Sequence, residues 1–305
     1  MDVRTRKYIL IFVVGVAALS AATLLLVNTK KEVKEAEPPK VEEPVIETAA
    51  PVKIETPGPR QIVAGLSVQG RQIEAYTFGS GAKEILFVGG VHGGYEWNSV
   101  LLAYQLIDHL KQDPDAVPEG LSVTVIPNAN PDGVYEVVGK TGRFIAADVP
   151  AGTNSNGRMN AHGVDLNRNF DCNWKSEGVW QNKTVSGGTA PFSEPEAKAI
   201  RDYALTNKLV AVIFWHSKSG TVYGSGCNAD MLPEATDIMN AYAKAAGYKT
   251  APTFDGYIVN GDASDWLASI GIPAITAELA THESIEWDKN LAGIKAIFKY
   301  YEAKE

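Results

Sequence analysis

From residue 61 onward the chain alternates strand-like and helix-like segments, which predicts an α/β domain with helices on both faces of its sheet. Glu84–Val88 and Leu209–Phe214 support it, being short apolar runs of the kind that strands buried on two sides require. A third observation concerns polar residues. His92, Asn130, His216 and Glu278 each fall at or just after the end of a predicted strand, where sheets of this class form their sites.

Each element follows from its local pattern. Ile62–Leu66 and Gln72–Phe78 alternate like the arms of a hairpin, with Gln69-Gly70 as turn residues between them. Glu84–Val88 is a strand, and Ser99–Lys111 carries Leu101, Leu102, Leu106, Ile107 and Leu110 at helical spacing. Leu121–Ile126 is a strand that breaks at Pro127 to Gly133, and a Gly/Asn-rich loop runs from Gly139 to Gly163. Glu194–Thr206 reads as a helix with Ser193 as its N-cap. Leu209–Phe214 runs straight into Trp215-His216-Ser217. Helices follow over Glu234–Ala246 and Ala263–Ile270, then a strand over Ala274–Ala277 leading into Glu278, and a last helix over Asn290–Ala303.

Ahead of this unit the character differs. Arg4, Arg6 and Lys7 precede an uncharged apolar run, Tyr8–Val27. That run has the length of about 20 residues that spans a bilayer, longer than the apolar core of a cleavable signal. The basic flank favours an inside N-terminus and an exported chain. The expectation is a signal anchor over residues 1–28, with a cleaved signal as the alternative. Residues 29–60, with Pro38-Pro39, Pro44, Pro51, Pro57 and Pro59 among Glu, Lys, Val and Ala, read as a disordered tether. The folded unit is then residues 61–305. A hydrophobic content of 45% supplies a large core, and a net charge of −8 excludes a general nucleic-acid binder. Cys172 and Cys227 are an even pair, compatible in an exported domain with one disulfide and equally with two buried thiols.

The chemistry begins at Val91-His92-Gly93-Gly94-Tyr95-Glu96-Trp97-Asn98, an imidazole and a carboxylate on a glycine-loosened turn. Zinc accepts both ligand types and, when catalytic, keeps a fourth position open. Taken alone, the octet is equally a tight turn with a solvated Glu. His216, held by an apolar strand, completes a His/Glu/His set of the size that catalytic zinc uses. Gly163-Val164-Asp165-Leu166-Asn167-Arg168-Asn169-Phe170 adds a guanidinium suited to bidentate pairing with a carboxylate, or else a strand end with an exposed Arg.

Together with Asn130-Pro131-Asp132-Gly133, Tyr257, Asp265-Trp266 and Thr276-Ala277-Glu278-Leu279, these motifs make the chain resemble the zinc carboxypeptidase family of metallopeptidases. The resemblance covers Gln61 to the C-terminus and implies a mixed, mainly parallel eight-stranded sheet between helices. It also implies one Zn²⁺ per chain on His92, Glu96 and His216, with Glu278 as the general base. Asn167 and Arg168 would grip the substrate carboxylate, Tyr257 would close over the substrate, and Arg158, with Arg143 as a rival, would polarise the scissile carbonyl. Two departures bear on this. The family spacing is His-x-x-Glu, whereas an extra residue, Gly94 or Tyr95, makes it His-x-x-x-Glu here, which a bulge at the glycines would absorb. The Arg that many family members carry just before that Glu is Tyr95.

Ser264 occupies the position resembling the family's pocket floor, and nearby Asp262 either favours a cationic side chain or caps the following helix. The reading is a membrane-anchored, extracytoplasmic zinc carboxypeptidase with a monomeric catalytic domain, acting on peptides. Its alternatives are a peptidase of cell-wall peptides, a deacylase of N-acyl amino acids, and a non-catalytic binding domain.

Overall fold

The computed structural model describes residues 58–152, 156–228 and 231–304. The expected membrane span and the tether up to residue 57 lie outside the described residues. Among those that are described, no helix is long and apolar enough to cross a membrane.

The strands are β1 (Arg60–Leu66), β2 (Gln72–Gly79), β3 (Lys83–Val88), β4 (Leu121–Ile126), β5 (Glu177–Trp180), β6 (Lys183–Ser186), β7 (Leu209–Ser217), β8 (Thr221–Tyr223), β9 (Lys249–Ala251) and β10 (Ala274–Leu279). The helices are α1 (Trp97–Gln112), α2 (Pro131–Val138), α3 (Pro195–Thr206), α4 (Pro233–Ala246), α5 (Ala263–Ser269) and α6 (Trp287–Glu302). Eight strands form one mixed sheet in the order β1-β2-β4-β3-β7-β10-β8-β9, and β5 pairs only with β6. Four neighbouring pairs in the large sheet are parallel and three antiparallel, as a mixed, mainly parallel sheet requires.

Side chains alternate across a strand, and the two faces of this sheet separate accordingly. Ile85, Phe87, Ile213 and Trp215 join one core with Leu102 and Leu106 of α1, Tyr242 of α4 and Phe298 of α6. Leu86, Val88, Val212 and Phe214 join the other, with Ile200 and Tyr203 of α3 and Trp266 and Leu267 of α5. The central strands carry apolar side chains on both faces because both faces are covered. Their parity then decides the site: His216 follows Phe214 by two and projects on the α3/α5 side.

Several predicted elements differ from those observed. Ser193 does not cap α3. Glu194 holds the N-cap position without a side-chain bond, because Pro195 takes the first helical position and starts the helix later. Ser193 Oγ instead donates to Glu194 Oε1 at 2.8 Å. Helix α2 fills part of what reads as loop, although its signals are present: Asn130 accepts from Gly133 N–H, Pro131 leads, and Gly139 ends the helix at φ 70°. The β5–β6 hairpin, β8 and β9 are three or four residues long, too short for a period to register. Cys172 and Cys227 form a disulfide with Cα atoms 5.8 Å apart, tying the segment after Arg168 to the loop after β8.

Phe87 lies fully buried on β3, beside the strand that carries His216, its ring 5.1 Å from Trp215 and 6.3 Å from Phe298. Phe87→Ala is expected to lower the stability of the folded unit by about 3–5 kcal/mol in urea denaturation. A loss below about 1 kcal/mol would contradict this packing.

Candidate active site

Strands β3, β4, β7 and β10 run parallel where they adjoin, so their carboxyl ends open at one edge. His216 and Glu278 are register partners on β7 and β10, which puts the two side chains on one face of neighbouring strands. His92 follows β3, and a 3₁₀ turn over Gly93–Glu96 swings Glu96 back beneath it. The extra residue is thus absorbed in a tight turn beyond the end of β3. The expected β-bulge does not form, because no ladder partner remains there to bulge against. Glycines permit the turn: Gly93 has φ +46°, and a Cβ on it would meet Gly157 O at 2.5 Å, while one on Gly94 would meet Val137 Cγ2 at 2.5 Å.

His92 Nδ1 lies 2.8 Å from Glu96 Oε1, His216 Nδ1 lies 2.9 Å from Glu96 Oε2, and the two imidazole nitrogens are 3.1 Å apart. All three residues are buried, and they are the His/Cys/Asp/Glu group among the described residues able to hold a metal ion. The donors fit zinc. Tetrahedral bonds of about 2.0–2.1 Å separate neighbouring ligand atoms by roughly 3.3 Å. The other nitrogen of His92, Nε2, is buried without a hydrogen-bond partner and sits 3.3 Å from Asp165 Oδ1. That contact is too poorly aligned to be a hydrogen bond, but a carboxylate behind the free nitrogen is the usual support of a metal-ligating histidine.

Asp165 is the residue that sequence reasoning missed. It is wholly buried, its Oδ2 accepts from Arg158 Nε at 3.0 Å and Nη2 at 2.8 Å, and its Oδ1 accepts from Asn167 N–H at 3.1 Å. Burial alone would raise its pKa, but the guanidinium groups of Arg158 and Arg168 override that and hold it well below the usual carboxylate range. The signal available was an acid inside an apolar alternation, which is rarely buried unless paired. Of the rival cations, Arg158 is in the site, with Nη1 3.8 Å from Glu96 Oε1. Arg143 is at the surface, paired with Asp108 at 2.7 Å.

His92, Glu96, His216 and Arg158 line a cavity of about 610 Å³ that also takes in Asn167, Arg168, Tyr257, Asp262, Ser264 and Asp265. Asn130 does not line it. Its side chain caps α2 and donates to the carbonyls of Arg158 and Met159, so it braces the Arg158 backbone. Arg168 gives Nε and Nη2 to Val179 O, at 3.2 and 2.7 Å, and Nη1 to Asn167 O at 2.7 Å. An N–H on each terminal nitrogen is left over for a ligand. Tyr257 is half-buried with its ring 5.9 Å from the Arg168 guanidinium. Asp262 caps α5 through Ser264 N–H at 2.7 Å and Asp265 N–H at 3.1 Å, and accepts from Asn167 Nδ2 at 2.7 Å. Ser264 turns its hydroxyl to Asp262 at 2.5 Å. Asp265 accepts from Gly226 N–H at 2.9 Å, and burial together with the charge of Asp262 pushes its pKa up to about 7. Neither aspartate pairs with a cation among the described residues.

Glu278 opens onto the cavity and accepts no hydrogen bond among the described residues. Burial first, and the Glu96 carboxylate second, push its pKa up to about 8, with His216 and Arg158 opposing. A bound dication would reverse part of that shift.

A parallel sheet edge that presents two imidazoles, a carboxylate and a second, unpaired carboxylate belongs to an α/β metallohydrolase. The sequence comparisons give the family: the family model described as zinc carboxypeptidase matches residues 53–301, and the chain belongs to that family of zinc-dependent hydrolases. It is 25% identical over 241 residues to the gamma-D-glutamyl-L-diamino acid endopeptidase 1 of Lysinibacillus sphaericus, covering 71% of this chain and 59% of that one. It is 29% identical over 224 residues to zinc carboxypeptidase A 1 of Anopheles gambiae, covering 67% of this chain and 50% of that one. The chain therefore spans roughly half the length of these relatives. Its fold matches bovine thrombin-activatable fibrinolysis inhibitor at a TM-score of 0.66 and 19% identity, over 81% of this chain and 91% of that chain. The murein-tripeptide amidase of Escherichia coli O157 matches at 0.59 and 23%, over 81% and 94%.

The Glu278 environment has a consequence for the zinc-free protein. A carboxyl whose pKa rises from 4.5 to about 8 on folding favours the folded state while protonated and opposes it once ionised. The penalty is absent well below pH 4.5, grows between there and about pH 8, and is constant above. In chelator, Glu278→Gln is expected to raise the melting temperature at pH 9 and to change it far less at pH 5. Equal effects at both values would contradict the environment described.

Proposed function

We propose that the chain is a zinc metallopeptidase hydrolysing the peptide bond beside a residue that carries a free carboxylate. The observation that carries this reading is one cavity shared by the His92/Glu96/His216 set, the Glu278 carboxylate and the Asn167-Arg168 pair. When bound by His92, Glu96 and His216, zinc would act as a Lewis acid and lower the pKa of a water in the site. Glu278, free of hydrogen-bond partners, takes a proton from the attacking water and returns it to the leaving amine. Arg158 turns Nη1 toward the cluster and stabilises charge developing on the scissile carbonyl oxygen. Arg168 and Asn167 hold the substrate carboxylate, and Tyr257 closes the cavity beside them.

The floor of the cavity favours one class of side chain. Asp262 and Asp265 sit there with Ser264 and without a cationic partner among the described residues, so a substrate ammonium would complete them. Lysine and diamino acids both supply one. The second reading, hydrolysis of cell-wall peptides next to a diamino acid, rests on that floor and on the likeness to the L. sphaericus endopeptidase. An extracytoplasmic, membrane-tethered location is proposed from the charge and length of the N-terminal apolar run alone.

The test is a peptide series ending in Lys, diaminopimelate or Leu, their C-terminal amides, and N-acetylated amino acids. The cationic ends are expected to give the highest kcat/KM. Amidation is expected to lower it by at least about 100-fold, because the guanidinium loses its carboxylate partner. Glu278→Gln should lower kcat by about 10²–10⁴-fold with zinc content intact. A preference for Leu would overturn the acidic-floor reading, and turnover of N-acetylated amino acids alone would replace peptidase with deacylase.

A further inference from the structure

The β5–β6 hairpin stands apart from the large sheet, and none of the motifs quoted above lies in it. It is nevertheless fastened to the segment that carries Asp165, Asn167 and Arg168. Asp165 N–H donates to Ser186 O at 2.9 Å, Val164 bridges Ser186, and Asn169 Nδ2 donates to Gly187 O at 2.6 Å. From that base the hairpin reaches both guanidinium groups of the cavity.

Arg168 is held by the Val179 carbonyl, which takes both Nε and Nη2. Its aliphatic stem passes against Gly178, where a Cβ would lie 2.8 Å from Arg168 Cδ and 3.2 Å from both Cγ and Nε. Gly178 needs no unusual φ, so its missing side chain serves the arginine and not a turn. Arg158 is held from two directions. Asp165 grips one edge through Nε and Nη2, which sets the guanidinium within its plane. The buried ring of Trp180 sits 4.5 Å from Cζ and sets the tilt of that plane by a cation–π contact. Tyr95 packs on Trp180 with ring centroids 5.2 Å apart, so the ring cannot swing away. Nη1 is what remains, and it lies toward Glu96 at 3.8 Å.

The geometry points to the hairpin as the device that positions both cations: Gly178 and Val179 set Arg168 for the substrate carboxylate, and Trp180 sets Arg158 for the reacting carbonyl. Gly178 and Trp180 are positioning residues. The inference rests on the roles proposed above for the two arginines.

It makes the two residues separable, which a merely structural hairpin would not. With the preferred peptide, Trp180→Leu is expected to lower kcat by about 10–100-fold with KM within roughly threefold, since a displacement near 1 Å costs about that much. Trp180→Phe keeps a ring face and should recover most of the loss. Gly178→Ala is expected to raise KM about tenfold with kcat within roughly threefold, as a charge-assisted pair loses its alignment. Calorimetry on zinc-free protein supplies a second readout: binding of the free C-terminal amino acid weakens in Gly178→Ala and Arg168→Gln and is unchanged in Trp180→Leu. Retained zinc stoichiometry and circular dichroism identify the folded variants, and the Trp180 pair tests the inference without Gly178. Trp180→Leu with normal kcat while Arg158→Gln is impaired would overturn the inference and leave the proposed function standing. The same kcat and KM pattern in Gly178→Ala and Trp180→Leu would also overturn it. Wild-type kinetics in both Arg158→Gln and Arg168→Gln would remove the proposed roles themselves, and the inference with them.

Discussion

The arrangement turns on charge balance in a confined space. Glu96 and Asp165 are buried, Glu278 opens onto the cavity that Glu96 lines, and Asp262 and Asp265 line it as well. Against these stand the guanidinium groups of Arg158 and Arg168, both buried, and two imidazoles. Buried carboxylates persist only when paired, hydrogen-bonded, protonated or bound to metal. Each takes a different course here. Asp165 is paired and hydrogen-bonded, and its pKa falls. Glu96 sits between two imidazoles, and its pKa is lowered despite burial. Glu278 has neither support and is pushed up to about 8. Without a hydrogen-bond or ion-pair partner among the described residues, Glu278 is free to exchange a proton.

The sheet supplies the rigidity that this balance needs. Alternation along β7 buries Phe214 on one face and Trp215 on the other, so the next residue, His216, has its direction decided by packing. Glu278 inherits its place from the register of β10 against β7. The loops supply the guanidinium groups of the cavity, and they are fastened to one another. Phe170 N–H donates to Gly261 O at 3.0 Å and Gly261 N–H to Cys172 O at 2.8 Å, while the disulfide fastens Cys227 to the same segment. The segment that carries Arg168, the loop before α5 and the loop after β8 are therefore tied together.

Residues whose position follows from local pattern were legible in the sequence. The central strands were read within a few residues because apolar runs between turn signals have few alternatives, and His92, His216 and Glu278 came with them. Glu96 needed the backbone: nothing in His-x-x-x-Glu says that two glycines will fold into a 3₁₀ turn pressed on α2. The choice of Arg158 over Arg143 depends on Asp165, which lies seven residues from Arg158 and is buried only after the long loop closes. Trp180 had no signal, because its contacts come from a four-residue strand outside the main sheet. Asn130 misled for the opposite reason. It follows a strand, as the site residues do, but its side chain satisfies a helix N-terminus and two loop carbonyls.

The central claim is that Glu96, despite its displaced spacing, stands with the two histidines as a metal ligand. The most direct test is the zinc content of residues 58–305 after dialysis against a weak chelator, by mass spectrometry of the metal, for wild type and Glu96→Ala side by side. The account expects one zinc per chain in the wild type and loss of it in the variant, with the fold retained by circular dichroism. Zinc held equally by both proteins would contradict it, and would mean that another group completes the site.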